Sequence, residues 1–423
     1  MEKVAEFINA ESYRQALARL CRLAGSPTID GRRVLDDWER CHKKNVHAVK
    51  RAMERFVRED APVISDAEVG IDPLLWLQAL DEHCYSEISS KCYFRNLRID
   101  DGDGLIYLLP IYQKAVGAAR SKQFGNISCW LKYHRAVPLS NSQGISVEVT
   151  GIPKGYMDWA AKIFAGKTIT IAVVHFTDGI APNISYMEPE HFVCDGVSDE
   201  NKRLETAFDH IRHAKRQGAH ILLMPELTIT PLIRSKIVAE LERLNEGGDE
   251  NHAMSVPFIL LGSFHEQVES GWRNHADAVL GLDGTHLFGC DKRKSVTFNN
   301  CKEGIECSPT PLTCLFTPLG LMAMAICKDL FEGEPAAVLA SLPLDWLLVP
   351  SMSDNINPHK VSARTMYNTG GAIVAVANQE MPGGKGSVPG FVHYDKEPEP
   401  CTTGMTIVSI VKKEPDLTLI VFN

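Results

Sequence analysis

The chain of 423 residues lacks any apolar run near the roughly 18–20 residues that a membrane-spanning helix requires. None of its 12 cysteines forms a Cys-x-x-Cys pair, and their spacing fits neither a zinc site nor a compact disulfide scaffold. The amino terminus, Met1-Glu2-Lys3-Val4-Ala5-Glu6, meets an acidic residue at once and lacks the apolar centre of a secretory signal. These absences point to a cytoplasmic protein with free thiols. They leave no expectation of a metal, a cofactor or a membrane contact. Excess positive charge is missing too. A net charge of −9 argues against a mainly electrostatic nucleic-acid binder. Lys43, Lys44, Lys50, Arg51, Arg55 and Arg58 read as the solvated face of a helix, with a nucleic-acid or partner surface as the alternative. His83, Cys84 and Cys92 have no evident fourth ligand. The stretch from Ala161 to Gly166-Lys167-Thr168 superficially matches a phosphate loop, but it precedes a strand and has alanine where the first glycine belongs.

What is there divides in two. Apolar residues recur at helical spacing over 12–23 and 36–57, and Asp72-Pro73 opens another helix. Residues 97–165 are mixed, with a strand expected near 102–109. Residues 1–166 are therefore expected to form a mainly helical accessory region. From Thr168 the rhythm becomes β–α–β. Thr168–Phe176, Ile221–Met224, Pro257–Phe264, Ala276–Leu282, Leu321–Ile326, Trp346–Val349 and Ala372–Ala377 read as strands. The near-continuous apolar character of Ile221–Met224 fits burial on both faces. Helices are expected after a cap at Ser198 or Asp199, ending at Gly218, and over 335–342 and 358–369. The alternation makes residues 167–423 a layered α/β domain.

Three short segments stand at or just after strand ends, where layered α/β sheets build their sites. They are Met224-Pro225-Glu226, Asp291-Lys292-Arg293-Lys294 and Ile326-Cys327-Lys328-Asp329. Attack on an amide-like carbon needs a nucleophile able to form an acyl intermediate. It also needs a base for the nucleophile's proton and positive charge where the oxyanion develops. Cys327, Glu226 and Lys294 supply one of each, and the backbone N–H of Lys328 is a natural second oxyanion donor. Read singly, Cys327 is a core thiol, Glu226 a turn cap and Lys294 a surface charge. Lys292 is the rival for the lysine.

In order and spacing, Pro225-Glu226, Arg293-Lys294 and Cys327-x-Asp329 resemble the nitrilase superfamily of carbon–nitrogen hydrolases. His275–Gly284, Thr317-Pro-Leu-Gly320, Leu347–Ser351 and Ala375–Asn378 resemble the strands and turns that flank those residues in the family. The likeness covers roughly 168–423. It implies a four-layer α-β-β-α sandwich and hydrolysis of a non-peptide carbon–nitrogen bond (amide, carbamoyl or nitrile) through a cysteine thioester. It further implies a small amide-like substrate and a homodimer or larger homo-oligomer. Many members carry a second glutamate between the lysine and the cysteine; Glu303 matches it, with Glu306 as rival. Two departures stand out. The residue after the nucleophile is Lys328 rather than an aromatic, a cation expected to lower the thiol pKa. Gly386 to Phe391 matches the family's Gly-x-Ser segment only roughly. The competing readings are a nitrilase-fold scaffold or sensor in a larger assembly, such as a bacterial defence system, and acyl transfer to an amine.

Overall fold

The computed structural model describes residues 145–166, 168–187, 190–246, 256–306, 310–380, 390–394 and 404–411. Before them it describes strands β1 (Arg98–Asp100), β2 (Leu105–Pro110) and β3 (His134–Pro138). It also describes the buried helical positions Leu17, Ala52, Leu77, Ala79, Leu80 and Asp81. Otherwise the helices expected at 12–23, 36–57 and from Asp72 lie outside the described residues. So do the basic residues between Lys43 and Arg58, the group His83, Cys84 and Cys92, Lys167, and the segment 386–389.

The domain begins with β4 (Val147–Gly151), α1 (Lys154–Ile163), β5 (Thr168–Val174), β6 (Pro182–Met187), β7 (His191–Val197) and α2 (Glu200–Arg216). It continues with β8 (Ile221–Leu223), α3 (Pro231–Glu246), β9 (Phe258–Val268), β10 (Gly271–Leu280), β11 (His286–Asp291), β12 (Thr297–Phe298), β13 (Cys301–Glu303), β14 (Leu312–Thr317) and β15 (Gly320–Met324). A 3-10 turn (Cys327–Leu330) follows, then α4 (Gly333–Ser341), β16 (Trp346–Met352), α5 (Asn357–Gly370), β17 (Ile373–Gln379), β18 (Phe391–His393) and β19 (Met405–Val411).

Two six-stranded sheets face each other. One has the order β11-β10-β9-β8-β5-β19, the other β18-β17-β16-β15-β14-β4. Side chains alternate across a strand, so each apolar run feeds two cores. On β16, Trp346 and Leu348 point between the sheets while Leu347 and Val349 point outward. On β5, Ile169, Ile171 and Val173 point inward and Ala172 and Val174 outward. Helices cover both outer faces. Ala207 and Ala214 of α2, with Ile233, Ile237 and Leu241 of α3, pack on the first sheet. Val338 and Leu339 of α4, with Ala363 and Met366 of α5, pack on the second. The result is the four-layer α-β-β-α order that the sequence implied. Asp199 caps α2 by accepting the Lys202 N–H at 3.0 Å, and Gly218 follows that helix with φ +67°.

The sandwich starts earlier than residue 167. Strand β4 pairs in parallel with β14, and Ala160 and Phe164 of α1 join the core between the sheets. A three-stranded antiparallel sheet, β1-β2-β3, lies within the region expected to be mainly helical. Tyr107, Leu109 and Val137 of that sheet pack into the core beneath α4 and α5. Arg135 reaches the same layer. It donates to the Pro343 carbonyl at 2.6 Å and to Asp345 Oδ1 at 2.5 Å. Asp345 Oδ2 accepts the Leu321 N–H at 2.8 Å.

Gly320 turns the chain into β15 beside that carboxylate. Its φ is +109°, and a Cβ there would stand 1.9 Å from Asp345 Oδ2. Gly320→Ala therefore combines left-handed strain with displacement of a buried ion pair. It is expected to lower unfolding stability by about 2–4 kcal/mol, read by urea denaturation.

Candidate active site

Strand ends from both sheets converge on one buried cluster. Glu226 lies just past β8, held by a bridge to Ser263, and Leu227 turns the chain with φ +55°. Cys327 lies just past β15 and opens the 3-10 turn with φ +47°. Positive φ at a non-glycine residue is strained and persists only where surrounding contacts impose it. Met352, at the end of β16, connects the two. Its N–H donates to Glu226 Oε2 at 2.9 Å, and its carbonyl lies 4.0 Å from Cys327 Sγ.

The ammonium in the cluster belongs to Lys292. Its Nζ lies 2.7 Å from Glu226 Oε1 and 2.7 Å from Glu303 Oε2. The expectation of Lys294 is thereby corrected, and the physical reason is local. The Lys292 N–H still bonds the Asn274 carbonyl at 2.8 Å, extending the β11 ladder by one residue and carrying its side chain inward. Asp329 then captures the next two backbone N–H groups, Arg293 at 2.9 Å and Lys294 at 2.7 Å, and turns the chain away. The end of the Lys294 side chain lies instead beside Gly333, at the start of α4.

Glu303 rather than Glu306 enters the cluster. It is saturated. Oε1 accepts from His265 Nε2 at 2.9 Å and Asn274 Nδ2 at 3.0 Å. Oε2 accepts from Lys292 and from the Val296 N–H at 3.0 Å. His265 Nδ1 accepts the Cys194 N–H at 2.6 Å, so the ring proton sits on Nε2 and the ring is neutral. Burial alone would raise the Glu303 pKa, but Lys292 and His265 hold it well below the ordinary carboxylate range. Burial would likewise lower Lys292, yet the two glutamates hold it well above its ordinary value. Glu226 is less complete. Asn274 and Lys292 occupy Oε1 at 2.9 and 2.7 Å, and Met352 occupies one position on Oε2. Asn274 thus spends one amide nitrogen on both carboxylates, while its Oδ1, fully buried, has no partner.

Burial, and then the Glu226 charge, push the Cys327 thiol up to about 12, with Lys292 pulling the other way. Lys328 does not lower it, contrary to expectation. Its ammonium turns to Glu332 at 2.9 Å and the Ser295 carbonyl at 3.4 Å. A cavity of about 10 Å³, room for about one water, touches Glu226, Lys292, Cys194, Phe192, Val296 and Met352. Asn274 and His265 were missed by sequence reasoning. Both sit within long strands, where a polar residue carries no positional flag. Among the described residues no helix is long and apolar enough to cross a membrane, and no cluster of three metal-ligating side chains occurs.

No family model matches the chain. It is 26% identical over 171 residues to the chloroplastic omega-amidase of Arabidopsis thaliana, covering 36% of this chain and 46% of that protein. It is 29% identical over 168 residues to omega-amidase NIT2 of Bos taurus, covering 36% and 59%. The chain thus spans about half the length of these relatives. Among solved structures, a nitrilase-superfamily amidase mutant of Nesterenkonia overlays with a TM-score of 0.41 at 17% identity, covering 59% of this chain and 92% of that one. Nit3 of Saccharomyces cerevisiae, a member of branch 10 of the nitrilase superfamily, overlays with 0.42 at 12% identity, covering 60% and 93%. The layer order is that of a nitrilase-like α/β fold, and over 36% of its length the chain is similar to omega-amidases.

A thiol held near 12 is protonated across the neutral range. Alkylation of Cys327 by iodoacetamide is expected to rise tenfold per pH unit from 7 to 10 without a plateau. An unfolded control should level off near the ordinary thiol value of about 8.5. Peptide mass spectrometry on Cys327 reads both.

Proposed function

We propose that this domain hydrolyses a non-peptide carbon–nitrogen bond, in an amide, carbamoyl or nitrile group of a small molecule, through a thioester on Cys327. One observation carries the reading. A carboxylate offers about four acceptor positions and an ammonium three donors. Three positions are taken on Glu226 and two donors on Lys292, which leaves one of each beside a buried thiol. Glu303 has no position left. Glu226 is accordingly the base and Glu303 a fixed counter-charge.

For an amide, Cys327 Sγ attacks the carbonyl carbon as its proton passes to the open position on Glu226. The carbonyl oxygen becomes an oxyanion, held by the third N–H of Lys292 and the backbone N–H of Lys328. Glu226 returns the proton to the departing nitrogen, the carbon–nitrogen bond breaks, and ammonia or an amine leaves. Water then attacks the thioester, losing a proton to Glu226, which delivers it to the sulfur as the acid departs. A homo-oligomer in a reducing cytoplasm accompanies this reading. The five described cysteines, all unpaired, favour the second part.

The test is a panel of small primary amides, with ammonia release, hydroxylamine trapping and intact mass measured together. Wild type is expected to release ammonia and to carry an acyl adduct on Cys327. Cys327→Ala should do neither. Lys292→Met should lose about 10²–10³-fold in rate, the usual scale for an oxyanion donor, while Lys294→Met stays within about threefold. An equal loss in both lysine variants would sink the lysine assignment. Neither ammonia nor adduct from any amide would hand the domain to the scaffold reading.

A further inference from the structure

The other face of the β10–β11 hairpin carries a charged cluster that this chemistry does not use. His275 on β10 stands opposite Asp291 on β11. Its Nδ1 lies 2.5 Å from Asp291 Oδ1, and its Nε2 lies 3.0 Å from Asp277 Oδ1. Ionised carboxylates only accept, so both ring nitrogens carry protons and the ring is an imidazolium. The groups around it come from four strands and helices. Asp277 also accepts from His286 Nε2 at 3.0 Å and from the Arg234 guanidinium of α3. Arg234 holds Glu266 of β9 at 2.7 Å and the His275 carbonyl at 3.2 Å. Arg273 holds Glu266 at 2.8 Å and stands 3.6 Å from Asp291, and the Arg293 charge also acts on Asp291. The ring lies over Gly289, where a Cβ would come within 2.8 Å of His275 Cε1.

The chain neighbours of this pair are site residues. Asn274 precedes His275, Lys292 follows Asp291, and the Lys292 N–H bonds the Asn274 carbonyl. Successive side chains of a strand take opposite faces, so a pair locked on one face fixes its neighbours on the other. We propose that the His275–Asp291 ion pair is a clamp, with His275 a positioning residue that keeps Lys292 and Asn274 seated between Glu226 and Glu303. The catalytic consequence rests on the function proposed above; the clamp itself does not.

Burial opposes the charge on His275, but Asp277 and Asp291 outweigh it and hold the ring pKa up to about 9. A raised histidine pKa means that the ion pair is complete at neutral pH and is lost as pH rises through about 9. Two variants of the full chain test the clamp: His275→Gln removes the charge, and Gly289→Ala pushes the ring aside while leaving every charge in place. Hydrogen exchange of the 286–296 segment at pH 7.5, read by mass spectrometry, needs no substrate. Loss of protection at the Lys292 N–H by about tenfold or more is expected in both variants, with the rest of the sandwich unchanged. Unchanged protection in both overturns the clamp. Where wild type turns over an amide, its kcat/KM should fall above pH 9, and His275→Gln should lack that alkaline limb. A limb retained in His275→Gln also overturns it. Clamp behaviour in exchange without any amidase activity would leave the clamp standing and remove the function reading alone.

Discussion

The Lys292 ammonium, seated between the carboxylates of Glu226 and Glu303, is the interaction on which the rest of the site depends. All three side chains are out of water. Unpaired charges there would be prohibitive, and paired ones hold only with good geometry and satisfied remaining positions. One cation between two anions leaves a net charge of minus one. Neutral dipoles absorb the remainder: the Asn274 amide, the His265 Nε2–H, and the Met352 and Val296 N–H groups. Those donors come from β9, β10, β16 and the segment after β11. The cluster therefore ties the two sheets to each other, and the sandwich aligns the strand ends that make the cluster possible.

The two glutamates have different surroundings. Glu303 has its acceptor positions filled, which favours its charged form and fixes its orientation. Glu226 shares Asn274 and Lys292 with it yet keeps a position open, and its charge acts on the thiol. The difference arises from neighbours. His265 and Val296 reach only Glu303, and His265 is itself oriented by the Cys194 backbone. The unpartnered Asn274 Oδ1 fits the same logic. Turning the amide to satisfy that oxygen would cost two charge-assisted hydrogen bonds.

Much of this was legible from residue order, because strand ends announce themselves. Ile221-Leu-Leu-Met224 stops at a proline and Glu226 follows; Cys327 follows an equally apolar run. Glu303 could be preferred over Glu306 by resemblance. The lysine could not be chosen. Lys292 and Lys294 are two residues apart, so strand parity gives both the same face. What separates them is Asp329, which lies 35 residues further along and captures the Lys294 N–H. The early start of the sandwich was hidden for a similar reason. Strand β4 looks unremarkable in isolation and becomes part of the sandwich only by pairing with β14, far along the chain. Local pattern reports local structure, and in both places a distant partner decides.

On the mechanism proposed above, the charge balance would also let a thiol held near 12 serve as a nucleophile. Creating a thiolate and a separate proton in this cluster would add a second uncompensated negative charge to a water-poor space. Passing the proton from Cys327 to Glu226 adds none. In that proposed step the single negative charge would move from carboxylate to sulfur and, as the carbonyl is attacked, from sulfur to oxygen. At each stage it would stay within reach of the same ammonium, whose contact with Glu303 would hold it in place if Glu226 changed protonation. A cation that had to follow the charge would lose the benefit to reorganisation. On this argument the resting thiol is protected from stray electrophiles by its high pKa. On the proposed mechanism it would be activated only by a substrate whose carbonyl accepts the charge as the proton leaves.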